Sequence, residues 1–358
     1  MGIIVAIIIF GIIVTVHEFG HFICAKLSGI KVIEFSVGMG PKLLQKKKGE
    51  TAYSLRLLPV GGYCAMEEDI ESDDPRNFRK AKLWKRVIVL AAGAFNNFLL
   101  GFIMIAILIC TLSGVPTNTI SGFVGVRNDD GTATYYAESY NTGLRKQDKI
   151  IRMDGTRVYS NLDINFLLAS GKDTFDLVVV RDGEKVELLN VRFHDNYYKE
   201  VEGTDSGGVY DFGLVYNKKN PLTVIKGSGD IFMSMSHIVG LSLKQLVSGE
   251  VSKDDVSGPV GVVSAISETT AQSKGLLDTI SSIAYMTALI TINIGIMNLL
   301  PIPGLDGGRL LFCLIEFVRR KPVKPEHEGY VHLAGMVLLF GIMIFATYND
   351  IVRLVTGG

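Results

Sequence analysis

Cysteine is scarce in this chain. It has four in 358 residues, Cys24, Cys64, Cys110 and Cys313, scattered and with no pair at metal-ligand spacing. Neither a disulfide framework nor a cysteine-ligated metal is expected from that pattern. Charge of either sign is missing in excess as well: 36 Lys and Arg balance 36 Asp and Glu. A chain without net positive charge offers no electrostatic footprint for nucleic acid, so no nucleic-acid partner is expected. No charged residue occurs from Met1 to Val16. The basic n-region of a secretory signal peptide is therefore absent, and no small-residue cleavage pattern closes the segment before the charged loop.

What the chain has in quantity is apolar residues, 48% of the total, with a mean hydropathy of +0.32. That composition reads as a polytopic α-helical membrane protein with one soluble insert of ordinary size. Four transmembrane helices are expected, over about 3–25, 87–112, 280–300 and 331–348, the last only just long enough to span. Basic residues crowd the loop between the first two, among them Lys46, Lys47, Lys48, Arg79, Lys80, Lys85 and Arg86. Arg319, Arg320, Lys321 and Lys324 separate the last two. The positive-inside rule makes both loops cytoplasmic, and puts the termini and the long central segment on the other side. Four regions follow: 1–113, with two spans and a loop; 114–197, a soluble module; 198–275, an amphipathic helical connector; and 276–358, with two further spans.

Chemistry enters where the first apolar run meets His17-Glu18-Phe19-Gly20-His21. On a helix the i,i+4 spacing puts both imidazoles on one face, where two nitrogens can bind one Zn²⁺, and Glu18 can act as general base. Ionisable groups inside a span are costly and mark function by default. A second signature closes the third span. Asn298-Leu299-Leu300-Pro301-Ile302-Pro303-Gly304-Leu305-Asp306-Gly307-Gly308 sets two prolines and three glycines around one carboxylate, so the helix must break near Asp306. Irregular backbone at membrane depth persists only where protein or a watery site satisfies it. Asp306 is thereby suited to be the third zinc ligand, leaving one tetrahedral position open as catalytic sites do. The alternative is that Asp306 merely caps the helix Gly307 to Val318.

The connecting regions carry weaker signals. Val32–Val37 and Tyr53–Leu58 alternate around Lys48-Gly49-Glu50 and predict a hairpin, with glycines and Pro41 breaking its ends. Either it is a plain surface hairpin, or one edge lies near the metal and pairs with an extended substrate. In the soluble module, Ser121–Val126 reads as a strand followed by a turn through Asn128–Gly131. A helix is expected over Asn161–Ala169, and a hairpin from Phe175–Val180 and Lys185–Val191. From Asn220-Pro221 to Val247 apolar residues recur at helical spacing, for one or two helices on a membrane surface or packed against the module. His237 there reads as a polar-face residue. Ser257–Val262 reads as a turn leading back to the third span.

The module resembles a PDZ domain through its Gly143-Leu144, Asp148-Lys149-Ile150-Ile151 and Asp154-Gly155 skeleton, although Gln147 stands where a glycine is usual. A peptide receptor and a steric gate against bulky ectodomains are equally open. Nearly the whole chain is similar to the site-2 protease family of intramembrane zinc metalloproteases, in its bacterial PDZ-containing type. The zinc signature, the PDZ-like insert, the Ser-Gly-Pro-Val-Gly turn and the Asn-x-x-Pro-x-Pro-x-Leu-Asp-Gly motif occur in order. The resemblance implies His17, His21 and Asp306 as zinc ligands, Glu18 as the residue activating water, and Asn298 holding substrate or oxyanion. Asn97, in Gly93-Ala94-Phe95-Asn96-Asn97-Phe98 with Ala94 for the usual proline, becomes a weaker candidate for the same lining. It further implies a bacterial plasma-membrane enzyme whose substrates are single-pass membrane proteins, such as anti-sigma factors or signal-peptide remnants, with the active site towards the cytoplasm. Two rivals remain: a catalytically silent PDZ scaffold, which the retained Glu18 disfavours, and a metal transporter, disfavoured by the shortage of ionisable residues within the spans. Oligomeric state is not legible.

Overall fold

A computed structural model of the chain describes residues 2–68, 72–127, 133–135, 137–193, 211–249 and 258–356. The turn expected at Asn128–Gly131 and the boundary expected at 197/198 lie outside these residues. In chain order the elements are α1 (Gly2–Leu27), β1 (Val32–Lys48), β2 (Thr51–Met66), a 3-10 turn (Phe78–Lys80), α2 (Leu83–Thr111), β3 (Val115–Phe123), β4 (Gly125–Arg127), β5 (Ala133–Tyr135), α3 (Glu138–Asn141), β6 (Lys149–Met153), β7 (Thr156–Arg157), α4 (Asn161–Leu168), β8 (Thr174–Arg181), β9 (Glu184–Arg192), β10 (Phe212–Asn217), α5 (Pro221–Ser248), α6 (Pro259–Ala271), α7 (Leu276–Leu299), α8 (Asp306–Arg319) and α9 (Pro325–Thr356). Helices dominate. Four of them, α1, α2, α7 and α9, are long and apolar enough to cross a membrane. The fourth runs well beyond the minimum expected, because Glu326 and Glu328 in its first turn and Asp350 near its end are helix-compatible polar flanks that a hydropathy reading trims away.

The chain divides into two compact units, residues 1–104 with 242–358, and residues 105–241. In the second, a sheet of order β10-β3-β6-β8-β9 carries β7 on β6, and β4 pairs with β5 separately. Alternation along β8 buries Phe175, Leu177 and Val179 against Ile120, Leu144, Ile150, Ile164 and Val191. Asp148 is wholly buried, and its carboxylate accepts from Arg181 Nε at 2.8 Å and Nη2 at 2.7 Å. This two-pronged ion pair fixes the turn before β6. Asp211 is buried too, accepting from the backbone N–H and the hydroxyl of Ser139, each at 2.9 Å; burial pushes its carboxyl above the usual range. Ser139 thereby anchors the short helix α3, which Ala137 precedes as N-cap.

Gln147, the departure from glycine, adopts φ +71°. A side chain in the left-handed region costs roughly 1–2 kcal/mol. Gln147→Gly is expected to stabilise the protein by about 0.5–1 kcal/mol, after the added freedom of the unfolded glycine is subtracted. Thermal or denaturant unfolding of the detergent-solubilised chain checks this.

The amphipathic stretch after the sheet is one helix, α5. It starts at a reciprocal cap in which Asn220 Oδ1 accepts from the Thr223 N–H and Thr223 Oγ1 accepts from the Asn220 N–H, each at 2.9 Å. His237 lies 3.1 Å from Asp163, whose carboxylate also caps α4. It occupies a structural polar cluster.

One expectation fails in the first unit. Gly258 and Pro259 do not form a turn into the third span; they open a separate helix, α6, with Gly258 as N-cap and Pro259 at the first position. The Asp350 carboxylate, from α9, accepts from the N–H groups of Gly258 at 3.1 Å and Gly261 at 2.7 Å. A helix N-terminus is thereby capped by an acid from a distant segment, which local sequence cannot reveal.

The loop after α1 corrects a second expectation. Val32–Val37 and 53–58 are not the two arms of the tight hairpin. Lys42–Lys48 pairs with 51–56 across Gly49-Glu50, whereas Phe35 faces both Tyr53 and Cys64. Two long strands bend, at Gly38 and Gly40 (each φ +81°) and at Gly61 (φ +86°), into a sheet of four segments ending in 62–66. The glycines that read as strand ends are bends inside strands, since only glycine takes this φ cheaply.

Candidate metal centre

Helix α1 carries His17, Glu18 and His21, and its face towards α2 buries both imidazoles, at 8% and 6% exposure. The helices approach closely because neither carries bulk at the crossing. A Cβ on Gly20 would collide with the Ala92 carbonyl, and one on Gly93 would lie 2.5 Å from His21 Nε2 and 2.7 Å from His17 Nε2. Gly93 is therefore part of the site although it has no side chain. The third group arrives from 289 residues away. Helix α7 ends at Leu299 before Pro301, the chain turns, and α8 begins at Asp306 itself, with Leu305 as the cap residue. The alternative role of Asp306 as N-cap is thus not the one it takes. A Cβ on Gly307 would run into the Leu300 carbonyl, so the glycine lets α8 start hard against the end of α7.

The three side chains converge. His17 Nε2 and His21 Nε2 are 3.1 Å apart, and Asp306 Oδ2 lies 3.1 Å from the first and 3.2 Å from the second. No other acidic or sulfur ligand joins them among the described residues, and these three could hold one metal ion. The hydrogen bonding behind the ligands supports that fit. A carbonyl only accepts, so the Val89 carbonyl, 2.7 Å from His21 Nδ1, makes that nitrogen the N–H and leaves Nε2 a lone pair facing inward. Behind His17 the Asn97 Nδ2 lies 3.2 Å from Nδ1, and the amide Oδ1 is buried without a partner. A half-turn of the amide exchanges the two atoms, and with Oδ1 accepting from Nδ1–H the tautomer of His17 matches that of His21. Two lone pairs and a carboxylate oxygen then face one another at about 3 Å, a repulsive arrangement that a divalent cation resolves.

Glu18 sits beside this cage and is half-buried. Its Oε2 accepts from the Cys64 N–H at 2.9 Å. Segment 62–66 of β2 thus lies against the very turn of α1 that carries the signature, and the strand's outward N–H orients the carboxylate. Asn97 is fully buried, and Thr291 on α7 donates its hydroxyl to the Asn97 carbonyl at 3.2 Å. Its place behind His17 corrects its reading as a lining residue: a wholly buried amide packed on an imidazole has no face left for substrate. Asn298 is half-buried near the end of α7 and hydrogen-bonds to none of the site residues. Gly93, Val89, Thr291 and the Cys64 N–H escaped the sequence reading. Three of them act through backbone atoms or the lack of a side chain, and only Gly93 lies in a string that had drawn notice.

The profile of peptidase family M50 matches residues 5–342. The chain belongs to peptidase family M50, the site-2 proteases. Among similar proteins, one from Clostridium perfringens named "Putative zinc metalloprotease" is 34% identical over 359 residues, covering 98% of this chain and 99% of its own. A Clostridium acetobutylicum protein of the same name is 33% identical, covering 98% and 97%. A third, from Campylobacter jejuni, is 29% identical, covering 98% and 93%. The matches run the length of this M50 peptidase, so both histidines and Asp306 fall within the aligned region.

Proposed function

We propose that this chain is an intramembrane endopeptidase that hydrolyses peptide bonds within the membrane-spanning segments of single-pass proteins, using His17, His21 and Asp306 as zinc ligands and Glu18 as general base. It is a zinc metalloprotease. The observation that carries the finer reading is the meeting of a His/His/Asp cage with an oriented carboxylate on helices long enough to span a bilayer. A zinc ion held there supplies Lewis-acid activation of water and of the scissile carbonyl. Glu18, aimed by the Cys64 N–H, takes the proton from the attacking water and passes it to the leaving amine. Asn298, free of partners at the site, offers its amide to the substrate carbonyl or oxyanion. The scissile carbonyl is freed by local unwinding of the substrate helix, whose backbone groups otherwise bond to one another. The bent sheet next to Glu18 can accept an unwound strand along its 62–66 edge.

The cationic loops support a cytoplasmic-side site and an extracytoplasmic sheet unit. That unit, read as PDZ-like over 114–197 with its connector over 198–275, serves as a gate or a receptor for already shortened substrates. Lipid surrounds the spans, and no nucleic acid takes part. Membrane proteomes of cells carrying wild type or Glu18→Gln test the substrate class. Single-span proteins accumulating as truncated stubs in the variant are expected; an unchanged stub population contradicts it.

The positioning of Glu18 has its own test. Cys64→Pro removes the N–H on an outward-facing edge position, where proline is tolerated. Loss of a hydrogen bond to a charged group costs about 1.5–3 kcal/mol, so turnover should fall about 10–100-fold with zinc retained. Cys64→Ala, which keeps the N–H, should stay near wild type in the same peptide-hydrolysis assay.

A further inference from the structure

Between α7 and α8 the turn Pro301-Ile302-Pro303-Gly304-Leu305 must deliver Asp306 to the two imidazoles, yet it has little of its own to hold it. Two of its five residues have no N–H. The Ile302 N–H bonds back to the Leu300 carbonyl at 2.7 Å, and the Leu305 N–H to the Ile302 carbonyl at 3.2 Å. The remaining N–H, of Gly304, donates to His332 Nδ1 on α9 at 2.9 Å. Among the described residues, that is the one bond from these N–H groups to a segment distant in sequence. Backbone packing brings α9 to it: a Cβ on Gly335 would run into the Pro303 carbonyl, and one on Gly308 would lie 3.2 Å from His332 Cε1. The ring also lies 5.6 Å, centroid to centroid, from Phe312 on α8.

We propose that His332 is a positioning residue for Asp306, holding the turn that carries the third metal ligand through its Nδ1 acceptor. Because Nδ1 accepts, the neutral ring carries its proton on Nε2, and that buried N–H has no partner among the described residues. An unpaired polar hydrogen on a helix of this kind costs stability that an apolar residue would not. The imidazole is therefore present for what Nδ1 does. The Gly304 N–H would otherwise be unpaired, and the turn, with positive φ at Gly304 (+96°), would be free to relax and carry Asp306 out of ligand distance. The inference rests on Asp306 being a zinc ligand, and it adds that the fourth span supports the metal site without touching the metal.

Zinc affinity of the purified full-length protein, measured by chelator competition, tests it in His332→Phe, His332→Asn and Asp306→Ala. Phenylalanine keeps the ring and removes the acceptor; asparagine places its Oδ1 where Nδ1 stands. Loss of a residue supporting a metal ligand typically costs about 10–100-fold in affinity. His332→Phe should lose zinc affinity by that factor, with peptide hydrolysis recovering as zinc is raised, while His332→Asn stays within about threefold of wild type. Wild-type zinc affinity in a folded His332→Phe overturns the proposal if Asp306→Ala loses zinc. Should Asp306→Ala also bind normally, the ligand assignment itself falls and takes this inference with it. If His332→Phe does not fold, the asparagine variant decides: retained affinity upholds the proposal and a tenfold loss overturns it.

Discussion

Glu18→Gln is expected to abolish measurable peptide hydrolysis, with a loss of about 10²–10⁴-fold, while zinc binding survives. The amide keeps the size of the carboxylate but cannot take a proton from water. Glu18 is not one of the three converging groups, so the cage keeps both imidazole lone pairs and the Asp306 carboxylate. The Cys64 N–H still finds an oxygen to donate to, so the strand beside α1 keeps its place. The result separates a protease from a scaffold or a transporter, neither of which needs a proton acceptor there. Hydrolysis of a purified single-span reporter, set beside zinc content, reads both halves. Full activity in the variant would remove Glu18 from the reaction.

Asp306→Ala carries the second large effect. With the carboxylate gone, two neutral imidazoles alone face the site, and charge neutralisation of the cation is lost with the third bond. Since removal of a merely supporting residue costs about 10–100-fold in metal affinity, removal of a ligand should cost more than about 100-fold. Activity should fall with it and not return at millimolar zinc. An Asp306→Ala protein that holds one zinc with wild-type affinity would show that the convergence of His17, His21 and Asp306 is incidental.

The groups that bring the chemistry were legible in the chain because they are side chains at fixed spacing. An i,i+4 histidine pair with an intervening glutamate has one helical meaning, and two prolines before Asp306 can only end a helix. The four long apolar helices were legible from composition, and the last continues past its apolar run through polar residues such as Glu326 and Asp350. What supports the site was not legible. Val89 acts through a carbonyl, Cys64 through an N–H, and Gly93 through what it lacks; none of these depends on residue type in a way spacing reveals. His332 and Asp350 lie near the two ends of the apolar stretch of α9, and their partners, Gly304 and Gly258, lie 28 and 92 residues away. The bent sheet after α1 misled for a related reason. Glycine before proline reads as a strand end, while positive φ at Gly38 and Gly40 lets one strand turn and continue.

The central claim is that residues from opposite ends of the chain form one zinc cage. X-ray absorption at the zinc edge of the wild-type protein and of Asp306→Ala tests it most directly. The account predicts nitrogen and oxygen neighbours at about 2.0–2.2 Å, including two imidazoles, with the oxygen contribution and the bound zinc both lost in the variant. A sulfur neighbour at about 2.3 Å, or a spectrum unchanged by the substitution, would contradict it.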